Sequence, residues 1–177
     1  MSSRASTTSF RLHEARSDAP HSPEGTAPRS RYEGPHGPVY VGHDETQVAT
    51  FAWGPHVPSA HLEAGPFGRS DGQPLAFYLD PVPLTVGTAS GAMVRPNWTF
   101  FSRRGRGIAI TLEARSYIYR VIGFSRPSLE RGDRSPVAAL GGVTGDHTIS
   151  ESADPVDVVV ALVLFAGVPV SAVRAQA

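Results

Sequence analysis

The feature that most limits how this chain can fold is its apolar C-terminal segment, "DPVDVVVALVLFAG", residues 154 to 167. Asp154 is a preferred N-cap residue, and Pro155 suits the first helical position. Asp157 stands at the third helical position, where a carboxylate interacts favourably with the free N–H groups and the helix dipole. These residues predict a helix that begins at Pro155.

The same segment also carries a stop signal and a length limit. Gly167, followed by Pro169, is typical of a helix end, so the predicted helix covers residues 155 to 166, about 18 Å. A bilayer needs about 20 apolar residues, which excludes a spanning helix here. Between Val158 and Ala166 every side is apolar, so the helix must be surrounded by other protein. The many valines leave a buried strand open as an alternative.

Length and composition set the class of protein. The 177 residues suit one domain with a hydrophobic core. The chain has no cysteine, which excludes a disulfide framework, a thiolate metal site and a cysteine nucleophile. All sixteen basic residues are arginine and are balanced by sixteen acids, so the net charge gives no steering toward polyanions. The absence of lysine is typical of a GC-rich bacterial genome.

The N-terminal part differs in composition from the rest. Residues 1 to 38 are rich in Ser, Pro, Arg and His and cluster few apolar side chains, which predicts a flexible tail before a single domain over residues 39 to 177. The first fourteen residues lack the apolar run of a secretory signal. A cytoplasmic protein is therefore expected.

Short apolar runs separated by Gly, Pro and Asp predict strands and turns from Val39 onward. In the run from Ile108, the residues Ile108, Ile110 and Leu112 share one face, which predicts a half-buried strand. Five predicted strands come first in the chain: "PVYVG", "QVATFAW", "SAHLEA", "PLAFYLD" and "PLTVGTA". A three-stranded meander follows, in which "WTFFSR" and "IAITLE" flank the turn "RGRG" and "EARS" leads into "YIYRVIGF". The last predicted hairpin has the strands "SLER" and "PVAAL" on either side of the turn "GD".

Many antiparallel strands and one helix that is apolar all round predict a mainly β fold, an antiparallel barrel or strongly curled sheet packed around the C-terminal helix. The order of elements resembles the tubby-like superfamily, which includes the tubby C-terminal domain, phospholipid scramblases and LURP-one-related proteins. The residues that carry the resemblance are "WTFFSRRGRGIAITLEARSYIYRVIGF", "SLERGDRSPVAAL" and "DPVDVVVALVLFAG". It implies a closed barrel around a hydrophobic helix and a basic patch that binds anionic phosphoinositides.

Arginines are concentrated between residues 95 and 134, where the acids are Glu113, Glu130 and Asp133. Guanidinium groups bind phosphate oxygens bidentately, so a hairpin tip such as "SRRGRG" suits a lipid headgroup, another phosphate-bearing ligand or nucleic acid. The alternative is that these side chains only solvate an outer strand face. The candidate ligand-binding residues are Arg103, Arg104, Arg106 and Arg120.

A second candidate site is a metal site. His56, His61 and Glu63 could bind a divalent metal in a small cupin-like barrel enzyme, and His61 and Glu63 share one face of a strand. The paired H-x-H of cupins is missing, and ordinary loop or surface histidines are the alternative interpretation.

A third pattern, "GRSDG", matches the nucleophile elbow of hydrolases at Gly68, Ser70 and Gly72, with Asp146 and His147 downstream. The serine precedes a predicted strand instead of a helix, which favours a polar loop. The sequence therefore favours a non-catalytic binding or interaction module for an anionic ligand. The metal-dependent enzyme is the alternative, and a protein partner for the apolar C-terminus is a further one.

Overall fold

A computed structural model describes residues 9–16, 28–33, 38–43, 47–52, 57–63, 81–94, 107–122, 126–140 and 147–168. Within these ranges the chain forms strands and one C-terminal helix, α1 (Pro155–Gly167). The strands are β1 (Ser9–Arg16), β2 (Pro28–Glu33), β3 (Val39–His43), β4 (Gln47–Ala52), β5 (Ala60–Glu63), β6 (Val82–Val86), β7 (Ala89–Val94), β8 (Gly107–Leu112), β9 (Arg115–Ile122), β10 (Arg126–Arg131), β11 (Pro136–Leu140) and β12 (His147–Ser150).

The strands form one antiparallel sheet in which each strand pairs with its neighbours in sequence. β1 pairs with both β2 and β12, so the hydrogen-bonded order closes on itself. The mainly β fold predicted from the sequence, with one helix packed on an antiparallel sheet, is confirmed.

Side chains alternate between a buried inner face and an outer face, as a period of two requires. On β8, Ile108, Ile110 and Leu112 are buried while Thr111 is exposed, which confirms the predicted core face. On β6, the buried positions alternate with exposed ones in the same way. The inner faces and α1 together make one hydrophobic core.

The predicted C-terminal helix is confirmed to within one residue, and the strand alternative is wrong. Residues 158 to 164 are all buried, with at most 2 % of each side chain exposed. α1 contacts strands β3 to β6 and also β11, which lie on different parts of the strand order. The chain's own strands therefore cover the apolar segment for which the sequence left a protein partner open.

The N-terminal region differs from the predicted flexible tail at two places. Residues 9 to 16 and 28 to 33 form β1 and β2, and β1 fills the position between β2 and β12. In β1, Phe10 pairs with Ile149 and Leu12 pairs with His147. Two apolar residues are too few to predict a strand alone, but β12 and β2 supply the backbone partners that stabilise it.

The hairpins are largely where the sequence predicts them. β8 and β9 pair around Glu113 and Ala114, and β10 and β11 pair around a turn at Gly132. The segment "PLTVGTA", expected as one strand, is instead the β6–β7 hairpin, because Gly87 has a φ of +58° that L side chains rarely adopt. The predicted strands "WTFFSR" and "PLAFYLD" lie outside the described residues.

Among the described residues, no helix has the length and apolar character needed to cross a membrane.

Candidate functional site

The N-terminal end of α1 is held by a reciprocal capping box. The Asp154 carboxylate accepts a hydrogen bond from the backbone N–H of Asp157, at 3.0 Å, and the Asp157 carboxylate accepts one from the backbone N–H of Asp154, at 3.1 Å. Both acids satisfy N–H groups that have no partner within the helix. The cap predicted from the sequence is confirmed.

Asp157 is also the centre of a buried polar cluster that joins the helix to the sheet. Its carboxylate is fully buried and accepts a hydrogen bond from the Tyr117 hydroxyl at 2.8 Å. It forms ion pairs with Arg131 and, at 3.4 Å, with Arg115. A buried carboxylate needs such partners, because removing it from water costs several kcal/mol. The cluster therefore ties α1 to β9 and β10.

Two tyrosines on the inner face of β9 contact opposite ends of α1. Tyr117 binds Asp157 in the first turn, and the Tyr119 hydroxyl donates to the Val168 carbonyl at 3.1 Å, just beyond the last turn. Burial, together with the hydrogen bond to Asp157, raises the pKa of Tyr117, and burial raises the pKa of Tyr119. Both hydroxyls therefore stay protonated as donors at neutral pH.

An open cleft of about 390 Å³ lies beside this cluster. It is lined by Ala114, Arg115, Ser116, Tyr117, Arg131, Gly132, Asp133 and Asp154. Its two guanidinium groups are already engaged, because Arg115 binds Asp154 at 2.7 Å and Arg131 binds Asp157. A charged ligand in this cleft would compete with those ion pairs. The geometry therefore favours a structural role for the two arginines that line the cleft.

The capping box predicts how stability depends on pH. Partial burial alone would raise the pKa of Asp154, but the hydrogen bond from the Asp157 backbone and the nearby Arg115 guanidinium outweigh it and lower that pKa. A carboxyl with a lower pKa in the folded state binds fewer protons there than in the unfolded chain. Its stabilising contribution is present above the ordinary aspartate pKa of 3.8 and is lost as pH falls through the lower, folded value.

We therefore expect the urea midpoint of the protein to fall as pH is lowered from 5 toward 3, and to fall less in the Asp154→Asn variant. Asparagine is an equally good N-cap, so this variant keeps the cap and removes only the titrating charge. Urea unfolding monitored by circular dichroism at each pH measures the difference. Parallel profiles for the two proteins would contradict the assignment.

A second cluster lies on the outer face of β9 and β10. Arg120 on β9 is directly opposite Ser128 on β10 in the strand register. Glu130 follows two residues after Ser128, and its carboxylate lies 3.9 Å from the Arg120 guanidinium, beyond hydrogen-bond distance. Ser128 is 6 % exposed, and its hydroxyl has no hydrogen-bond partner among the described residues. We call Arg120, Ser128, Glu130 and the nearby Arg126 the outer cluster.

The structure places only some of the predicted site residues. Of the four arginines, Arg120 is in the outer cluster, while Arg103, Arg104 and Arg106 lie outside the described residues. His61 and Glu63 share one face of β5, as predicted, and this is the outer face of the sheet. His56 lies outside the described residues. The described parts of the chain contain no group of three His, Asp or Glu residues that could hold a metal ion.

The hydrolase pattern is also only partly placed. Gly68, Ser70, Gly72 and Asp146 lie outside the described residues. His147 is buried on β12, with its ring 4.9 Å from that of Tyr32 and 5.1 Å from that of Phe165. Its imidazole therefore packs against aromatic rings of the core.

Sequence reasoning missed the cluster around Asp157. The sequence pattern assigns Asp157 to the helix cap and places Arg115 and Arg131 within the arginine-rich stretch. One signal was present, because Arg131 stands two residues after Leu129 and so shares its core face. A guanidinium on a core face requires a buried acid, and Asp157 is the acid of the first turn of a helix predicted to be buried.

No protein-family model, curated protein or solved structure significantly matches the chain. The interpretation of both clusters therefore depends on their geometry and chemistry alone.

Proposed function

We propose that the chain is a non-catalytic binding module, a barrel wrapped around α1 that takes an anionic ligand on its outer surface. The barrel is supported by the closed strand order and by a helix that is buried over eight consecutive residues, 157 to 164. A helix packed on one side of an open sheet would leave a stripe exposed. The proposed arrangement is that of the tubby-like superfamily, so the resemblance belongs to the same proposal.

The filled interior supports a surface site. Small barrels that act on a ligand inside need an interior cavity, but here α1 and the inward side chains make one packed core. The buried polar groups at the helix start, Asp157 and Tyr117, are engaged with each other and with arginines. A ligand is therefore expected on the outer face.

The proposal of an anionic ligand rests on the Arg120 guanidinium, which is poorly paired. Arg115 and Arg131 each bind a carboxylate at the helix start, but among the described residues the carboxylate paired with Arg120, that of Glu130, is 3.9 Å away. Within the described parts of the chain, the Nε atom of Arg120 is buried without a hydrogen-bond partner. A guanidinium with an unpaired donor on an outer face is suited to an oxyanion ligand.

The test uses the arginines next to this face in sequence. Replacing Arg103, Arg104 and Arg106 together by alanine should weaken binding to vesicles of phosphatidylserine by about two orders of magnitude, since each Arg near an anionic surface contributes about 1 kcal/mol. The measurement is co-sedimentation at low and high salt, with phosphatidylcholine vesicles as the uncharged reference. Binding by the parent should fall as salt rises.

A matched control removes the same charge elsewhere. Arg4, Arg69 and Arg174 are far from this segment in sequence, and their triple alanine variant should bind nearly as the parent does. Equal losses in the two triple variants would show that net charge alone drives binding. An unchanged affinity in the first variant would overturn the proposal for that segment.

A further inference from the structure

We propose that the outer cluster is a binding site for a single phosphate group, held by Arg120, Arg126 and the Ser128 hydroxyl. The inference rests on the proposed function and names its ligand class and its residues. A phosphate monoester is the chemistry shared by a free phosphorylated metabolite and by a lipid headgroup that ends in phosphate.

The first feature of the outer cluster is the Ser128 hydroxyl. It lies on the outer face of β10, yet it is 6 % exposed, and no described group forms a hydrogen bond with its hydroxyl. Buried hydroxyl groups in folded proteins nearly always have a partner, because an unsatisfied one destabilises the fold. On an outer face that is only solvated, a serine hydroxyl would be exposed to water. An oxyanion at this position would accept the hydrogen bond that the hydroxyl can donate.

The second feature is the Arg120 side chain, which lies beside Ser128. Side chains directly opposite each other on antiparallel strands have Cβ atoms about 5 Å apart, so Arg120 and Ser128 reach the same small volume above the sheet. The buried Nε of Arg120 has no partner in the part of the chain that the structure describes, although burial of an unpaired guanidinium donor is unfavourable. One oxyanion between the two side chains would satisfy both unpaired groups.

The neighbouring strand helps to position Arg120. Gly107 on β8 is opposite Arg120 in the register and is buried. A Cβ atom at Gly107 would lie 3.1 Å from Cγ of Arg120 and 2.9 Å from Cγ2 of Ile118. Glycine therefore lets the Arg120 stem lie close to β8, which restricts the directions in which its guanidinium can point.

Arg126 adds a second positive charge. It lies two residues before Ser128 on the same face of β10 and is exposed. Its Cα is about 7 Å from that of Ser128, within reach of a long side chain. Two arginines and one serine can donate from several directions, which suits the tetrahedral oxygens of phosphate better than a planar carboxylate, for which a single guanidinium fork is enough.

Glu130 is the residue whose substitution should increase, and not decrease, the affinity for phosphate. Its carboxylate is the acid of the outer cluster and lies 3.9 Å from the Arg120 guanidinium. The carboxylate competes with phosphate for the Arg120 guanidinium, and its negative charge repels the phosphate. Replacing Glu130 by glutamine should therefore tighten phosphate binding, whereas a purely structural role for Glu130 predicts no gain in affinity.

The experiment titrates the full chain with inorganic phosphate at constant ionic strength and follows backbone amide shifts by NMR. We expect the Arg120→Gln and Ser128→Ala variants each to bind about tenfold more weakly, as expected for loss of a charge-assisted hydrogen bond. Glu130→Gln should bind about threefold more tightly. The matched controls are Arg134→Gln and Ser90→Ala, which replace an exposed arginine and an exposed strand serine, and these should bind as the parent does.

Two further arms separate the sources of the phosphate group. Glycerol 3-phosphate represents a free phosphate monoester, and vesicles with phosphatidic acid represent a lipid headgroup. If the parent binds the vesicles more tightly than it binds glycerol 3-phosphate, and Ser128→Ala loses this binding, the ligand is the lipid headgroup. If the parent binds glycerol 3-phosphate and inorganic phosphate equally well and does not bind the vesicles, the ligand is a free phosphate monoester. Either result supports the site.

The site is overturned if Arg120→Gln and Ser128→Ala bind phosphate with the parent's affinity, or if Glu130→Gln weakens binding. If the parent binds anionic vesicles through Arg103, Arg104 and Arg106 but does not bind phosphate, the proposed function stands and this site falls. If the parent binds no anion in any arm, both fall.

Discussion

Replacing Asp157 by asparagine should destabilise the protein by about 3 kcal/mol or more, as expected when one partner of a buried ion pair is removed. Asparagine has nearly the same size, so the packing around it is preserved. One carboxylate oxygen becomes an NH₂ group, however, and it must face donors from Arg131 or Tyr117. A hydrogen-bond donor that faces another donor leaves both groups unsatisfied. Urea unfolding at neutral pH measures the loss as a lower midpoint with an unchanged slope.

Asp133 offers a matched control for the same chemical change. It lies in the exposed turn after β10, where its carboxylate accepts hydrogen bonds from the backbone N–H and hydroxyl of Ser135. Asparagine can accept the same bonds, so Asp133→Asn should change stability by less than about 0.5 kcal/mol. A loss below about 1 kcal/mol in Asp157→Asn, comparable with this control, would show that Asp157 is not the polar anchor of the helix.

The Asp157 cluster also explains which part of the site was predictable. Local rules predict the N-cap, because a cap depends on residues three apart in sequence. The partners of Asp157 come from strands about 26 to 42 residues earlier in the chain. No local rule brings Arg115 and Arg131 to that carboxylate, since strand register and the position of the helix decide it. The sequence therefore predicts the role of Asp157 in the helix cap but not its ion pairs with Arg115 and Arg131.

The fold shows the same division between local and long-range information. The helix and the strands with clear alternation, such as the one from Ile108, are determined by period and by caps. β1 could not be predicted because its few apolar residues are stabilised by pairing with β12, more than 130 residues later. Ser128 was likewise overlooked, since a serine beside a turn in a strand pattern gives no sign that its hydroxyl will be buried.

Alanine substitutions along α1 should all be costly, whichever face of the helix they lie on. Val158, Val159 and Val160 point in directions about 100° apart, so together they sample three sides of the helix. Each is buried, and each Val→Ala change should cost about 2 kcal/mol from lost apolar burial and the cavity left behind. Leu162 and Leu164 should each cost about 2 to 5 kcal/mol. Urea unfolding of the five variants gives the profile.

The shape of this profile distinguishes a helix enclosed by a barrel from a helix lying on an open sheet. An open sheet would leave one side exposed, so the costs would rise and fall with a period of 3.6 residues. The proposed barrel would remove that period by covering every side of α1, which contacts β3 to β6 and β11. Val94, the large apolar side chain that is exposed among the described residues, is the matched control, and Val94→Ala should cost less than about 0.5 kcal/mol. A near-neutral result at any one of Val158, Val159 or Val160 would contradict the enclosing barrel.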